Sequence, residues 1–87
     1  MYVIIIYDVE VERLNKVRQI LREYLNWVQN SAFEGEISEG KLEEIRLRLK
    51  KVIDEGSDSI LIYTIPNKDW VSKKIWGIEK GETTTVI

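Results

Sequence analysis

The chain begins with an uninterrupted apolar run that stops at an acid. Residues 2–7 have the sequence Tyr-Val-Ile-Ile-Ile-Tyr, and Asp8 follows directly. Because a strand with one face in water alternates apolar and polar residues, this run predicts a β-strand buried on both faces. It is too short to cross a membrane and too rich in β-branched residues to favour a helix. We therefore predict that residues 2–8 form the central strand of a small sheet, with Asp8 fixed at its solvent-exposed end.

Two later segments repeat apolar residues every three or four positions, which is the pattern of an amphipathic helix. The first covers about residues 12–25 and the second about residues 39–55. Ser38 is a favourable N-cap for the second helix, and Gly56 stands where a left-handed C-terminal cap is expected. Leu47 falls outside the apolar stripe of the second helix, which predicts a position at a contact or in solvent.

Between the two helices, β-formers separated by polar residues predict two short strands, at about residues 27–29 and 31–36. The pair Asn30-Ser31 allows a tight reversal or a bulge between them. Gly35 indicates a further bulge or a close approach to the backbone.

The last part of the chain adds more predicted strands. A strongly apolar strand at residues 60–65 ends at Pro66, which cannot continue the hydrogen-bonded ladder. A further strand is predicted at about residues 72–78, with a short helix as the alternative. The β-formers at residues 83–87 predict an additional strand that pairs with a sheet edge of this chain or of another chain.

The order β-α-β-β-α-β predicts an α+β, ferredoxin-like domain with two helices on one face of an antiparallel sheet. We assign residues 1–80 to this domain and residues 81–87 to a C-terminal β tail, which could pair with a partner protomer. The first strand is central in that topology, in agreement with its continuous apolar run. Since ferredoxin-like domains carry many unrelated activities, the fold does not determine the function.

Composition removes several classes of chemistry. The chain has no cysteine and no histidine, which excludes disulfides, thiol catalysis, Cys/His zinc sites and histidine acid–base catalysis. A metal site must then use oxygen ligands, a set that suits Mg²⁺, Mn²⁺ or Ca²⁺. The net charge of −2 gives no global attraction to nucleic acid, so binding to a phosphate backbone would require a local basic patch.

Length and the N-terminal sequence bear on assembly and location. At 87 residues the chain is close to the lower limit for a self-sufficient core, so a homo-oligomer is expected. The apolar start is too short for a signal peptide and lacks a basic segment before it. We therefore expect a cytoplasmic protein without membrane association.

Three short sequences, in this order, resemble one family. They are Tyr7-Asp8 at the end of the first strand, Val-Arg-Gln-Ile-Leu at residues 17–21, and Val-Gln-Asn-Ser-Ala-Phe-Glu-Gly at residues 28–35. Together with Ile-Glu-Lys at residues 78–80 and the β-rich tail, they make the whole chain similar to the CRISPR-associated endoribonucleases of the Cas2 family. These are the small proteins that accompany the integrase in spacer acquisition.

The resemblance implies a homodimer of ferredoxin-like protomers and a scaffold role in the integrase complex. It also implies metal-dependent cleavage of RNA or DNA phosphodiesters in some members. The family's metal-binding aspartate ends the first strand, which here is Asp8. Family positions that contact nucleic acid correspond to basic residues of the first helix and to the aromatic residue of the third sequence. In this chain those candidates are Arg13, Lys16, Arg18 and Phe33.

One departure from the family concerns Trp27, which stands where some members have an arginine. The basic residues of the first helix also have an ordinary interpretation as a solvated surface. Tyr7 and Phe33 have an alternative role as core residues, and Glu34 is either a second oxygen ligand or an exposed strand acid.

The expected chemistry depends on a second protomer. One carboxylate is too little to hold Mg²⁺ or Mn²⁺ firmly, whereas a two-fold dimer could bring Asp8 of both protomers towards the axis. An ion held there could lower the pKa of a bound water for attack on phosphorus. Three alternatives remain open. They are a metal-dependent endonuclease, a dimeric adaptor that binds DNA and the integrase with Asp8 structural or vestigial, and an unrelated interaction domain in which Asp8 ends a strand or caps a helix.

Overall fold

The computed structural model describes residues 1–81 and has the predicted ferredoxin-like architecture. One antiparallel sheet has the strand order β2-β3-β1-β4, and two helices pack on one of its faces. The elements are β1 (Tyr2–Asp8), α1 (Val11–Arg22), β2 (Asn26–Gln29), β3 (Ala32–Glu36), α2 (Glu39–Lys50) and β4 (Ser59–Ile65), followed by a 3₁₀ turn at Lys68–Trp70.

Strand β1 is central, but only one of its faces is buried. It pairs with β3 on one side and with β4 on the other. Val3, Ile5 and Tyr7 are at most 1% exposed, whereas Ile6 is 38% exposed. The prediction that β1 is buried on both faces is therefore wrong for a single chain. The helices cover one face, and nothing in residues 1–81 fully covers Ile6 on the other.

The core lies between the helices and the buried face of the sheet. Helix α1 contributes Val17 and Leu21, and helix α2 contributes Ile45, each completely buried. Both helices are shorter than predicted. The first ends at Arg22 and the second at Lys50, and a turn follows each of them. The remaining buried apolar residues are Val3, Ile5, Tyr7, Ile20, Leu25, Phe33, Ile37 and Leu49.

The predicted caps of α2 have different outcomes. Ser38 is the N-cap, and its hydroxyl accepts a hydrogen bond from the Lys41 amide at 3.1 Å, as predicted. The C-cap is Lys51 in a right-handed conformation, so the prediction that Gly56 forms a left-handed cap is wrong. Leu47 is 48% exposed, in agreement with its place outside the apolar stripe.

The reversal between β2 and β3 occurs where the sequence predicted it. Asn30 has φ of 45°, a left-handed conformation that asparagine tolerates better than most residues. The register shifts between Trp27 and Gln29, so the bulge lies in β2. Gly35 instead marks a close approach, because a Cβ atom there would lie 3.1 Å from Leu25 Cδ2.

The segment after β4 differs from the prediction. The structure has no strand at residues 72–78, so that prediction is wrong for the single chain. The short helix given as the alternative is also absent from residues 72–78. A 3₁₀ turn forms earlier, with Asn67 Oδ1 accepting a hydrogen bond from the Asp69 amide. The predicted strand at residues 83–87 lies outside the described residues.

Helix α2 carries one fully buried apolar side chain, Ile45, and one that is 48% exposed, Leu47, and this pair allows a test of the core. We expect Ile45→Ala to lower the free energy of unfolding by about 2–5 kcal/mol, because it leaves a cavity at a fully buried site. Leu47→Ala is the matched control in the same helix. Its effect should stay within about 1 kcal/mol, because half of that side chain is already in water. Urea denaturation of both variants measures this difference, and equal losses would contradict the assignment of the core.

Candidate metal and nucleic-acid site

Asp8 occupies the position that the sequence predicted. It is the last residue of β1, its side chain is exposed, and it pairs with Ser59 at the start of β4. Tyr7, immediately before it, is 1% exposed and anchors the strand in the core. The backbone at Asp8 is therefore fixed from within, whereas its carboxylate is accessible to a ligand.

Glu34, the other candidate oxygen ligand, lies far from Asp8. It pairs across the sheet with Ile4, four positions before Asp8, which corresponds to about 13 Å along a strand. Its carboxylate forms a salt bridge of 2.5 Å with Lys73 and is only 14% exposed. Burial and the nearby Glu34 carboxylate raise the pKa of Tyr2 to about 12. Glu34 thus belongs to a separate polar cluster.

Within residues 1–81, no group of three or more acidic side chains comes together to hold a metal ion. A single chain offers the Asp8 carboxylate alone at the end of β1. A hard divalent cation accepts such an oxygen ligand but requires others to complete its coordination. The donor type therefore fits Mg²⁺ or Mn²⁺, and the number of donors in one chain does not.

Arg13, a predicted nucleic-acid contact, is bound within the protein. Its guanidinium donates to both carboxylate oxygens of Asp58, from Nε at 2.6 Å and from Nη2 at 3.0 Å. The Asp58 side chain is 0% exposed, and that of Arg13 is 21% exposed. The hydrogen bonds from Arg13, and those from the Asp54 and Glu10 amides, hold the pKa of the Asp58 carboxyl far below its usual range. The sequence did not indicate a role for Asp58, because Asp58 lies 45 residues from Arg13 and no local pattern connects the two.

Lys16 and Arg18 lie on the same helix but have different environments. Lys16 is exposed. Arg18 is half-buried, and its Nε donates a hydrogen bond of 3.0 Å to the Tyr7 hydroxyl. They line a shallow hollow on the outer side of α1, together with further polar and charged residues of both signs. These are Glu12, Asn15, Gln19, Arg22 and Glu23. Lys16 and Arg18 are therefore the predicted contacts that the structure places at the surface, and Arg18 also connects α1 to β1.

Phe33 is part of the core. It is 0% exposed, and its ring lies 6.0 Å from that of Tyr7 and 6.0 Å from the Arg22 guanidinium. A side chain without exposed surface cannot stack on a base, so the prediction that Phe33 contacts nucleic acid is corrected. The alternative prediction, that Tyr7 and Phe33 are core residues, is confirmed for both.

Trp27 lies beside the basic residues of α1. Its Nε1 donates to the Asn30 carbonyl oxygen at 3.1 Å, which fixes the indole against the turn between β2 and β3. The half-buried ring and the side chains of Arg18 and Arg22 line a small hollow. The tryptophan therefore supports the surface of α1 by packing.

The sheet face opposite the helices carries apolar side chains at neighbouring positions. Ile6 pairs with Leu61, and Ile4 pairs with Tyr63. Leu61 is 51% exposed, Tyr63 is 54% exposed and Ile6 is 38% exposed. We call these four residues the open-face patch. The continuous apolar run of β1 was the signal for it, but the sequence did not show that residues 1–81 leave this face partly exposed.

Comparison with known proteins places these features in a family. The family model described as CRISPR associated protein Cas2 matches residues 1–73. The chain belongs to the Cas2 family. This membership confirms the resemblance that the three short sequences indicated, and it is consistent with the ferredoxin-like arrangement of the strands.

Individual Cas2 relatives are similar over nearly their full lengths. A CRISPR-associated endoribonuclease Cas2 of Methanosarcina acetivorans is 48% identical over 100% of both chains. Another, from Archaeoglobus fulgidus, is 51% identical over 92% of this chain and 87% of the relative.

Solved Cas2 structures agree with the fold. A crystal structure of Cas2 has a TM-score of 0.84 at 46% identity and covers 100% of this chain and 98% of its own. Streptococcus pyogenes Cas2 at pH 6.5 has a TM-score of 0.73 at 32% identity, covering 87% of this chain and 100% of its own. In residues 1–81, no helix is both long and apolar enough to span a membrane.

The lowered pKa of Asp58 predicts a specific dependence of stability on pH. A carboxyl group whose pKa is lower in the folded state stabilises the fold above its unfolded pKa of about 3.9, and this contribution is lost as the pH falls towards the folded pKa. We expect Asp58→Asn to lower the free energy of unfolding at about pH 7, and the gap from wild type to narrow below about pH 4. Urea denaturation across this range measures the gap.

The matched control is Asp69→Asn, which makes the same chemical change at an exposed position. It should leave the difference from wild type small and nearly constant across the same range. A gap for Asp58→Asn that persists undiminished at the lowest pH would contradict the role assigned to the ionised carboxylate.

Proposed function

We propose that this chain is a dimeric, metal-dependent endonuclease of CRISPR spacer acquisition. In this proposal it cleaves phosphodiester bonds of RNA, DNA or both, and it also acts as a scaffold for the integrase. The observation that carries the proposal is the exposed Asp8 carboxylate at the end of the central strand, next to the open-face patch. The names of the relatives, which include the word endoribonuclease, favour RNA as a substrate.

The dimer is supported by the open-face patch. Exposed apolar groups on neighbouring strands are typical of surfaces that another protein covers. A second copy of the chain would place the outward side chains of β1 in an apolar environment, which is what its unbroken apolar run predicts. In a two-fold dimer, each residue near the axis meets its own copy. Asp8 lies at the end of the strand that carries Ile6, so two Asp8 carboxylates can belong to one site.

Asp8 is the residue of this chain that would hold Mg²⁺ or Mn²⁺, with Asp8 of a second copy as the other protein ligand. When bound, the metal supplies a water of lowered pKa as the nucleophile and stabilises negative charge on the phosphate. The chain contributes a carboxylate on a rigid strand end, so little conformational freedom is lost on binding. Because the chain has no histidine or cysteine to act as base or nucleophile, a water activated by a carboxylate-bound metal is the route that we propose.

Nucleic acid would be held by a local patch, since the net charge of −2 provides no general attraction. Lys16 and Arg18 supply cations on the outer side of α1, where phosphate groups can approach. Arg18 is also hydrogen-bonded to Tyr7, the residue before Asp8. Arg13 is not part of this patch, because its guanidinium is bound to Asp58.

A second candidate is a dimeric adaptor that binds DNA and the integrase without cleavage. It is favoured by the fact that residues 1–81 bring no three acidic side chains together. In that case Asp8 would be structural or vestigial, and the open-face patch and the α1 cations would keep their roles.

The first test of the proposed function is the substitution Asp8→Asn. We expect it to lower Mg²⁺- or Mn²⁺-dependent cleavage about a hundredfold or more, because the amide has nearly the same shape but loses the charged oxygen ligand. Single-turnover cleavage of labelled single-stranded RNA and duplex DNA, with and without a chelator, measures the effect. Asp69→Asn is the control and should cleave like wild type, since it lies outside the proposed site.

The outcome separates the two candidates. Equal cleavage by wild type and Asp8→Asn would exclude the endonuclease mechanism through Asp8. A wild-type protein that binds the integrase but cleaves neither substrate would establish the adaptor.

The second test concerns the dimer. We expect Ile6→Glu to shift the protein from dimer to monomer at micromolar concentration, because burying an unpaired carboxylate at an apolar interface is costly. Leu47→Glu is the control, since it places the same charge on an exposed position of α2, on the helix side of the sheet. Sedimentation equilibrium measures the mass. A wild-type monomer, or a monomer for Leu47→Glu alone, would contradict the proposed interface.

A further inference from the structure

The loop between β1 and α1 is held by a side chain from a distant part of the sequence. Asp58 lies just before β4, and its carboxylate accepts a hydrogen bond of 3.0 Å from the Glu10 amide. Glu10 is the N-cap residue of α1, and its own side chain makes no capping hydrogen bond. The loop has only Val9 and Glu10 between Asp8 and the helix. Asp58 therefore fixes the chain two residues after the candidate metal ligand.

The Asp58 carboxylate is satisfied by four donors in a regular arrangement. Oδ1 accepts from the Glu10 amide and from Arg13 Nη2 at 3.0 Å, while Oδ2 accepts from Arg13 Nε at 2.6 Å and from the Asp54 amide at 2.8 Å. Each oxygen thus has one guanidinium donor and one backbone donor. We call Asp58 and Arg13, with the two backbone amides, the carboxylate clamp.

The clamp joins three segments around the end of β1. Arg13 lies in the first turn of α1, Glu10 in the loop and Asp54 in the turn after α2. Ser59, the residue after Asp58, is the β-ladder partner of Asp8. Asp8 is therefore held from the side of β4 by the ladder and from the side of α1 by the Glu10 amide. The second of these restraints is made by the Asp58 side chain itself, and the first lies at the next residue along the chain.

We propose that Asp58, held by Arg13, is a positioning residue that sets the orientation of the Asp8 carboxylate towards its metal ion. This inference rests on the proposed function of Asp8 as a metal ligand. The alternative is a purely structural ion pair, which would stabilise the fold without affecting the geometry at Asp8. The Asp58 side chain is 0% exposed, and one of its hydrogen bonds comes from the backbone of the loop that follows Asp8, which favours the positioning role. An exposed ion pair typically adds little to stability.

An exposed arginine–carboxylate pair on α2 contrasts with the carboxylate clamp. Arg46 and Glu43 also form a bidentate pair, at 3.0 and 2.6 Å, but both side chains are 54% exposed and lie on one turn of α2. That pair restrains no loop. Glu43→Gln is therefore a matched control that removes one carboxylate charge from a bidentate arginine pair without touching the clamp.

The substitution Asp58→Asn tests the inference, because the amide places an NH₂ group against two donors and disrupts one side of the clamp. We expect about a 10- to 100-fold loss in Mn²⁺ affinity or cleavage rate at saturating substrate, the usual cost of removing a partner that orients a metal ligand. The KM for RNA should stay nearly unchanged, since Lys16 and Arg18 are untouched.

Arg13→Lys should also lower the Mn²⁺ affinity or the cleavage rate, but to a smaller degree, because lysine keeps the charge and loses the fork geometry of the guanidinium. All variants are compared well below their unfolding temperatures, with circular dichroism as the check of folding.

Amide hydrogen exchange provides a readout that does not depend on activity. In Asp58→Asn the Glu10 amide should exchange faster, by more than the change at core amides such as that of Ile5, while Glu43→Gln leaves Glu10 unchanged. If the Glu10 amide keeps its protection, or if all amides change by the same factor, the positioning role is overturned and Asp58 only stabilises the fold. Unchanged Mn²⁺ affinity and cleavage rate in Asp58→Asn with a faster Glu10 amide would also overturn it.

Failure of the proposed function has a different signature. A wild-type protein that neither binds Mn²⁺ through Asp8 nor cleaves nucleic acid would remove both the function and the positioning role that rests on it. In that event faster exchange at Glu10 would still identify the clamp as a local structural restraint.

Discussion

The pairing of β1 on both edges is the constraint on which the rest of this fold depends. With β3 on one side and β4 on the other, β1 has no free backbone edge, and the two neighbours take their register from it. The side chains of β1 then alternate between the helix face and the opposite face. One residue more or less in this strand would turn Val3, Ile5 and Tyr7 outwards and remove the centre of the core. Because both faces of β1 carry apolar side chains, all of them are removed from water only when each face is covered.

The same constraint links stability to assembly. The helices cover one face of the sheet with their own apolar residues, and the open-face patch remains. Small domains bury a limited fraction of their surface, so an association that covers such a patch adds burial that the single chain lacks. In a two-fold dimer it would also set the relation between two copies of the end of β1. Dimer formation and assembly of the metal site would then be one event rather than two.

The sequence predicted the elements that depend on local periodicity and missed what depends on contacts between distant residues. The strand at the N-terminus, both helices, the turn at Asn30 and the N-cap at Ser38 follow from patterns a few residues long. Phe33 shows the limit, since its place in the resembling segment suggested a surface role and the fold buries it completely. The strand predicted at residues 72–78 is absent although β2 and β4 are both edge strands of the sheet, so β-propensity alone did not decide whether this segment pairs.

The charged residues show why the candidate site was only partly predictable. Asp8 could be named as a candidate because it ends an apolar run, and Lys16 and Arg18 because they are basic residues outside the apolar stripe of a helix. Arg13 lies beside them in sequence but binds Asp58. A buried carboxylate without a partner is costly in free energy, so the pair with Arg13 is favoured over an exposed position for this arginine.

That competition has a consequence for the chemistry at Asp8. An arginine bound to Asp58 cannot at the same time pair with Asp8, and an arginine on Asp8 would occupy the oxygens that a metal ion requires. The buried carboxylate therefore does two things at once. It fixes the loop through the Glu10 amide, and it holds Arg13, the first arginine of α1, through both Nε and Nη2.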